Sequence, residues 1–165
     1  MSRAFIKEDA GDGGGEELPA RPESLGPNYV TPAGQKALEA ELRRLEALIA
    51  AIPLMTEDLE AKKRRARLER DHRYFQRRVE SAVVVDNSET PPAEVRFGAR
   101  VEGVDEAGAA HCFSIVGEDE ADAAQGRISW SSPLAGALLG LKVGDRAVWP
   151  RPDGELRLTL KSISY

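Results

Sequence analysis

The sequence predicts an α+β protein, with an N-terminal antiparallel helical hairpin followed by a small, mostly antiparallel sheet wrapped on one short helix. Three observations carry this expectation. Leucines recur at steps of 4 and 3 after Thr31, a second amphipathic run follows Pro53, and beyond Glu94 the apolar period changes from that of helices to that of strands. The chain has 165 residues, 41% hydrophobic and 31% charged, enough for one ordinary domain or two small ones. It contains no run of 18 apolar residues, so no membrane-spanning helix is expected. Met1 to Asp12 carries acids and glycines where a secretory signal has an apolar stretch, which predicts a cytoplasmic protein. A single cysteine, Cys112, excludes an internal disulfide, and with only two histidines no structural zinc set can be assembled.

Residues 1–27 hold the Gly11 to Gly15 cluster and three prolines but few large apolar groups, and they read as a flexible leader whose Phe5 and Ile6 could form a short docking peptide. Thr31 is suited to cap a helix and Pro32 to open it. Leu38, Leu42, Leu45, Ile49 and Ile52 then form a seam of about two heptads, which Pro53 ends. Thr56, with Glu57 and Asp58 after it, predicts the cap of a second helix running to Ser81. Its seam is Leu68, His72, Phe75, Val79 and Ala82. If the turn is short, His72 lies beside Ala37 and Leu38 as a seam residue at the hairpin's base. Arg65 and Asp58 interrupt the seam's line, so looser packing is expected toward the tip.

Pro91 and Pro92 mark a linker over Asp86 to Glu94. Strands are expected at Val95–Val104, His111–Val116, Arg127–Trp130, Arg146–Trp149 and Leu156–Ile163. Ser132 and Pro133 start a short apolar helix, Leu134 to Leu139, which Gly140 closes.

The net charge is −5, but it is unevenly spread. Residues 61–85 carry nine basic and three acidic groups, while the chain on both sides is acidic. An overall acidic chain does not coat duplex nucleic acid through a general basic surface. The cluster of Lys62, Lys63, Arg64, Arg65, Arg67, Arg70, Arg73, Arg77 and Arg78 is either a solvated helix face or a contact for phosphates or an acidic protein surface. Arg70, Arg73 and Arg77 are the candidate nucleic-acid contacts. Tyr74 and Phe75 are the only rings nearby, so base stacking has little support.

Four blocks, VRFGARV from Val95, FSIVGEDEAD from Phe113, ISWSSPLAGALLG from Ile128 and VGD from Val143, resemble in order and spacing the C-terminal domain of the Gre transcript-cleavage factors of bacterial RNA polymerase. YVTPAGQKALEAELRRLE from Tyr29 resembles the start of that family's helical hairpin, so the resemblance covers roughly residues 28–165. It implies a leader (1–27), a coiled-coil hairpin (28–85) that enters the polymerase secondary channel, and an FKBP-like sheet domain (86–165) that grips the channel rim. The grip falls on Ser131, Ser132 and Pro133, which as residues alone also read as a helix start. The implied partner is bacterial RNA polymerase, with nascent RNA a candidate for the basic cluster, and the family also carries a DNA-binding label. A monomer is expected, because the hairpin seam is satisfied within one chain.

Cleavage-stimulating members of the family carry a G-D-x-x-E-N-A-x-Y motif at the hairpin turn, whose acids help to hold a Mg²⁺ shared with the polymerase active site. Here the turn reads IPLMTEDLEAKK from Ile52, with Glu57, Asp58 and Glu60 as the candidate tip acids but no ENA. The hairpin also reads shorter than the family's by roughly a dozen residues, about six per helix, which at about 1.5 Å per residue withdraws the tip by roughly 9–10 Å. A metal ligand has to approach to about 2–2.6 Å. The expected function is therefore a channel-docking regulator of elongation with weak or absent cleavage stimulation, no catalysis of its own and no cofactor. The alternatives are an active cleavage factor using the tip acids, an FKBP-like prolyl isomerase with Trp130 and Trp149 in its pocket, and a plain interaction protein that dimerises through its leucine seam.

Overall fold

A computed structural model describes residues 18–165; residues 1–17 of the leader expected over 1–27, with Phe5 and Ile6, lie outside them. The protein is a mixed α and β structure with two long helices and a curled five-stranded sheet.

Helix α1, Pro32–Ala50, begins as its local sequence dictates. Thr31 is extended, its hydroxyl accepts the Gly34 amide at 2.9 Å, and Pro32 fills the first turn. Helix α2, Leu59–Glu80, starts later than expected, and its cap is Asp58 instead of Thr56. The Asp58 carboxylate accepts the Glu60 amide at 2.9 Å, while the Thr56 hydroxyl accepts the amide of Asp58 at 3.2 Å and closes the turn before the helix.

The connection between the helices, residues 51–58, is longer than the turn of a few residues that the sequence suggests. This moves the register. Arg65 donates to the Ile52 carbonyl at 2.9 Å and His72 faces Glu46 at 3.5 Å, so His72 sits about two turns from the position expected beside Ala37 and Leu38. The buried line on α2 also differs from the expected seam. Leu38 and Leu45 of α1 are buried, but on α2 the buried residues are Tyr74 and Arg78, with Leu68, His72, Phe75 and Val79 only half-buried. The last turns of α2 are covered by residues 118–120 as well as by α1, and the second contact rotates the buried stripe toward itself.

Strands β1, Asn28–Val30, and β2, Ala82–Val84, pair in parallel from Asn28 with Ala82 to Val30 with Val84. They join the roots of both helices, a pairing the sequence reading does not contain.

The larger sheet has the order β5-β4-β3-β7-β6, formed by β3 (Arg100–Asp105), β4 (Ala110–Val116), β5 (Arg127–Ser129), β6 (Arg146–Arg151) and β7 (Gly154–Ser164). Only β4 and β5 pair in parallel. The strand expected over Val95–Val104 begins at Arg100. Val95 instead exchanges backbone bonds with the segment after helix α3, donating to Leu141 at 2.7 Å and accepting from Gly140 at 2.8 Å. Helix α3, Pro133–Leu138, lays Leu134, Ala135 and Leu138 on a core that includes Val101, Ile115, Leu158 and Leu160. Each buried Leu, Ile or Val side chain contributes about 1.5–3 kcal/mol by leaving water. Gly126 lets the chain turn into β5: its φ is +69°, and a Cβ there would lie 2.7 Å from the Cys112 carbonyl oxygen.

Candidate functional site

The residues that the sequence marks fall in three places. The first is the loop between the long helices. Asp58 is committed to the first turn of α2, and Glu60 pairs with Lys63 at 3.2 Å on the exposed surface. Glu57 is exposed. Beside these acids, Leu54, Met55 and Leu59 are 82%, 97% and 62% exposed, so the loop presents apolar groups as well as charge. Among the described residues no group of three or more His, Cys, Asp or Glu is placed to hold a metal ion.

The second place is the basic face of α2, which the structure divides. Lys62, Lys63, Arg64 and Arg67 in the first half are exposed, as is Arg73. Arg70 pairs with its neighbour Asp71 at 3.0 Å, and Arg77 pairs with Glu23 at 2.6 Å. Arg78 leaves the face altogether: it is 3% exposed and serves the interior.

The third is the start of α3. Ser132 caps the helix, accepting the Ala135 amide at 3.2 Å, and Pro133 opens it. Ser131 is exposed, its hydroxyl 2.8 Å from that of Ser129, and it donates to Glu118 at 3.2 Å. Glu118 belongs to a short 3-10 turn, Glu118–Glu120, that links the α3 start to the helix roots.

That turn is the structural link the sequence reading missed. Arg78 Nε donates to Asp119 at 2.6 Å and the Tyr74 hydroxyl donates to the same carboxylate at 2.6 Å. Asn28 fixes the Arg78 backbone from the other side through a 2.7 Å bond to its carbonyl. Glu120 accepts the amides of Thr31 and Gly117 at 3.0 Å each, and the Thr31 hydroxyl as well. The acidic run GEDE at 117–120, lying opposite a strongly basic helix, was the available signal. Charge complementarity between distant segments of one chain is visible in composition, but the partners are not.

Tyr74 is 7% exposed, and burial, reinforced by its bond to Asp119, pushes its hydroxyl up to about 12 from 10.0. A pKa raised by folding means the protonated form is favoured in the folded state. The stability this contributes is complete below pH 10 and is lost as pH rises through about 12. In a tyrosinate absorbance titration of the chain's three tyrosines, one should ionise near pH 12, and Tyr74→Phe should remove that phase. If Tyr74→Phe leaves the high-pH phase in place, the hydroxyl is not held as described.

Beside the roots of the helices lies an aromatic groove of about 770 Å³, lined in part by Tyr29, Phe97 and Trp130, with ring centroids of Tyr29 and Trp130 5.0 Å apart. Among the described residues no helix is long and apolar enough to cross a membrane.

Residues 90–165 match the family described as transcription elongation factor, GreA/GreB, C-terminal. Over most of its length the chain is also similar to curated members. It is 34% identical to transcription elongation factor GreB of Neisseria meningitidis serogroup B, covering 84% of this chain and 94% of that protein. It is 34% identical to GreA of Chloroflexus aggregans, covering 83% and 97%. Among solved structures, the GreA/GreB elongation factor of Nitrosomonas europaea is 27% identical over 83% of this chain and 98% of that one, with a TM-score of 0.42. The chain belongs to the GreA/GreB family of transcription elongation factors.

Proposed function

We propose that this chain docks at the secondary channel of bacterial RNA polymerase and regulates elongation there with little or no stimulation of transcript cleavage. In this reading residues 28–85 form an antiparallel coiled-coil hairpin that enters the channel, and residues 86–165 form an FKBP-like domain that grips the rim through Ser131, Ser132 and Pro133. The observation that carries it is the state of the tip acids. Asp58 caps α2 through the Glu60 amide, Glu60 lies beside Lys63 and Glu57 is exposed, and among the described residues these acids do not form a group able to hold a metal ion. The exposed Leu54 and Met55 suit contact with a channel wall better than with a hydrated ion. A shortened hairpin requires gaps in an alignment with a longer relative, and the alignment with the Neisseria relative runs over 153 positions while taking in 84% of this chain. Part of the relative thus has no counterpart here.

The test uses backtracked bacterial transcription complexes with end-labelled RNA. The protein alone is expected to leave RNA length unchanged, and in excess it is expected to suppress cleavage by an authentic Gre factor. Robust cleavage that disappears on Glu57→Ala or Asp58→Ala would overturn the reading in favour of an active cleavage factor.

A further inference from the structure

Residues 21–26 cross the end of α2 and reach the start of α3. Arg21 stacks on the Tyr74 ring with its guanidinium 4.0 Å from the centroid, lies 5.4 Å from that of Phe75, and stands 3.9 Å from Asp71. Glu23 pairs with Arg77 at 2.6 Å. Ser24 donates to Glu118 at 2.8 Å, and the other oxygen of that carboxylate accepts Ser131. Gly26 sits against the Trp130 ring, where a Cβ would be 3.8 Å away. The expected leader is thus fastened in its final part, and its fastenings fall on two of the candidate contact regions.

We propose that this segment is an autoinhibitory strap: it occupies Arg77 and the Ser131 loop, and the polymerase must lift it to dock. The inference rests on the docking reading given above and adds its regulation. Glu23 supplies to Arg77 the carboxylate that an acidic partner surface would otherwise supply, and Ser24 shares Glu118 with the loop proposed to grip the partner. The means of attachment argue for release over bracing. A permanent brace buries apolar side chains, yet Leu25 is wholly exposed and the hold consists of partly exposed ionic contacts, the Ser24 hydrogen bond and the stacking of Arg21 on Tyr74 and Phe75. Such contacts are individually weak and screened by salt. A competitor with its own carboxylates can displace them.

The experiment compares the full chain with Arg21→Ala, which uncovers one face of the Tyr74 ring, and Glu23→Gln, which alters only the surface pair with Arg77. One arm digests the free protein with a glutamate-specific protease and follows cutting between Glu23 and Ser24 in the wild type and Arg21→Ala. The other arm measures affinity of all three for bacterial RNA polymerase. The proposal expects Arg21→Ala to be cut several-fold faster, and both variants to bind about two- to fivefold more tightly, the size of effect that losing weak ionic contacts gives. Unchanged cutting would show that the strap is not held as described. Faster cutting with unchanged or weaker binding by a wild type that does bind would overturn the gate alone. If none of the three binds polymerase, the docking reading fails and the gate falls with it.

Discussion

Arg78→Ala is expected to lower the stability of the protein by about 3 kcal/mol, at the lower end of the roughly 3–5 kcal/mol that follows when one member of a buried ion pair is removed. Arg78 is 3% exposed and its partner Asp119 has a side chain 13% exposed, so alanine would strand a carboxylate with little water to replace the guanidinium. Tyr74 would still donate to Asp119, which moderates the loss. The double variant Arg78→Met with Asp119→Ala should recover part of the stability, because it removes the stranded charge and keeps an apolar stem in the same space. Urea denaturation followed by tryptophan fluorescence gives both values. A cost below about 1 kcal/mol for Arg78→Ala would mean that the pair is screened like a surface salt bridge.

Gly34→Ala is expected to destabilise the protein by about 2 kcal/mol, against the direction of helix propensity, which favours alanine by roughly 1 kcal/mol. Gly34 lies in the first turn of α1 and is buried, and a Cβ there would fall within the Glu120 carboxylate. Glu120 cannot shift without releasing the amides of Thr31 and Gly117, at about 1–3 kcal/mol for each one left without a partner. The sign should therefore depend on Glu120. In a Glu120→Ala background the same substitution at Gly34 is expected to become neutral or stabilising by up to about 1 kcal/mol. A destabilisation of equal size in both backgrounds would place the obstruction elsewhere.

What the sequence discloses and what it hides follow the distance over which each element is determined. The caps at Thr31 and Ser132 are legible because a hydroxyl followed by proline sets the first turn within four residues. The cap of α2 is ambiguous for the same local reason: Thr56 and Asp58 are both good caps two residues apart, and only the backbone shows that Thr56 serves the turn and Asp58 the helix. That ambiguity shifts the paired positions of the long helices and moves His72 to Glu46. The strand pair β1 and β2 escapes detection because three residues carry little periodicity and their partners are more than 50 positions away. Of the candidate contacts, the placement of Ser131 to Pro133 at an exposed helix start was legible. The burial of Arg78 was not, since a guanidinium is drawn inside only by carboxylates that arrive from some 40 residues further along the chain.

The parallel pairing of β1 with β2 has a mechanical consequence. Helix α1 leaves from the Val30 end of β1, whereas α2 arrives at the Ala82 end of β2, and these are opposite ends of the short ladder. A force that draws the two helices apart therefore pulls the strands lengthwise past each other. The load falls on all the interstrand bonds at once, including the one from the Val85 amide to the Val30 carbonyl at 3.0 Å, and not on one bond after another. A ribbon loaded in shear yields at a higher force than one that unzips. Three residue pairs thus resist separation of the helix roots together.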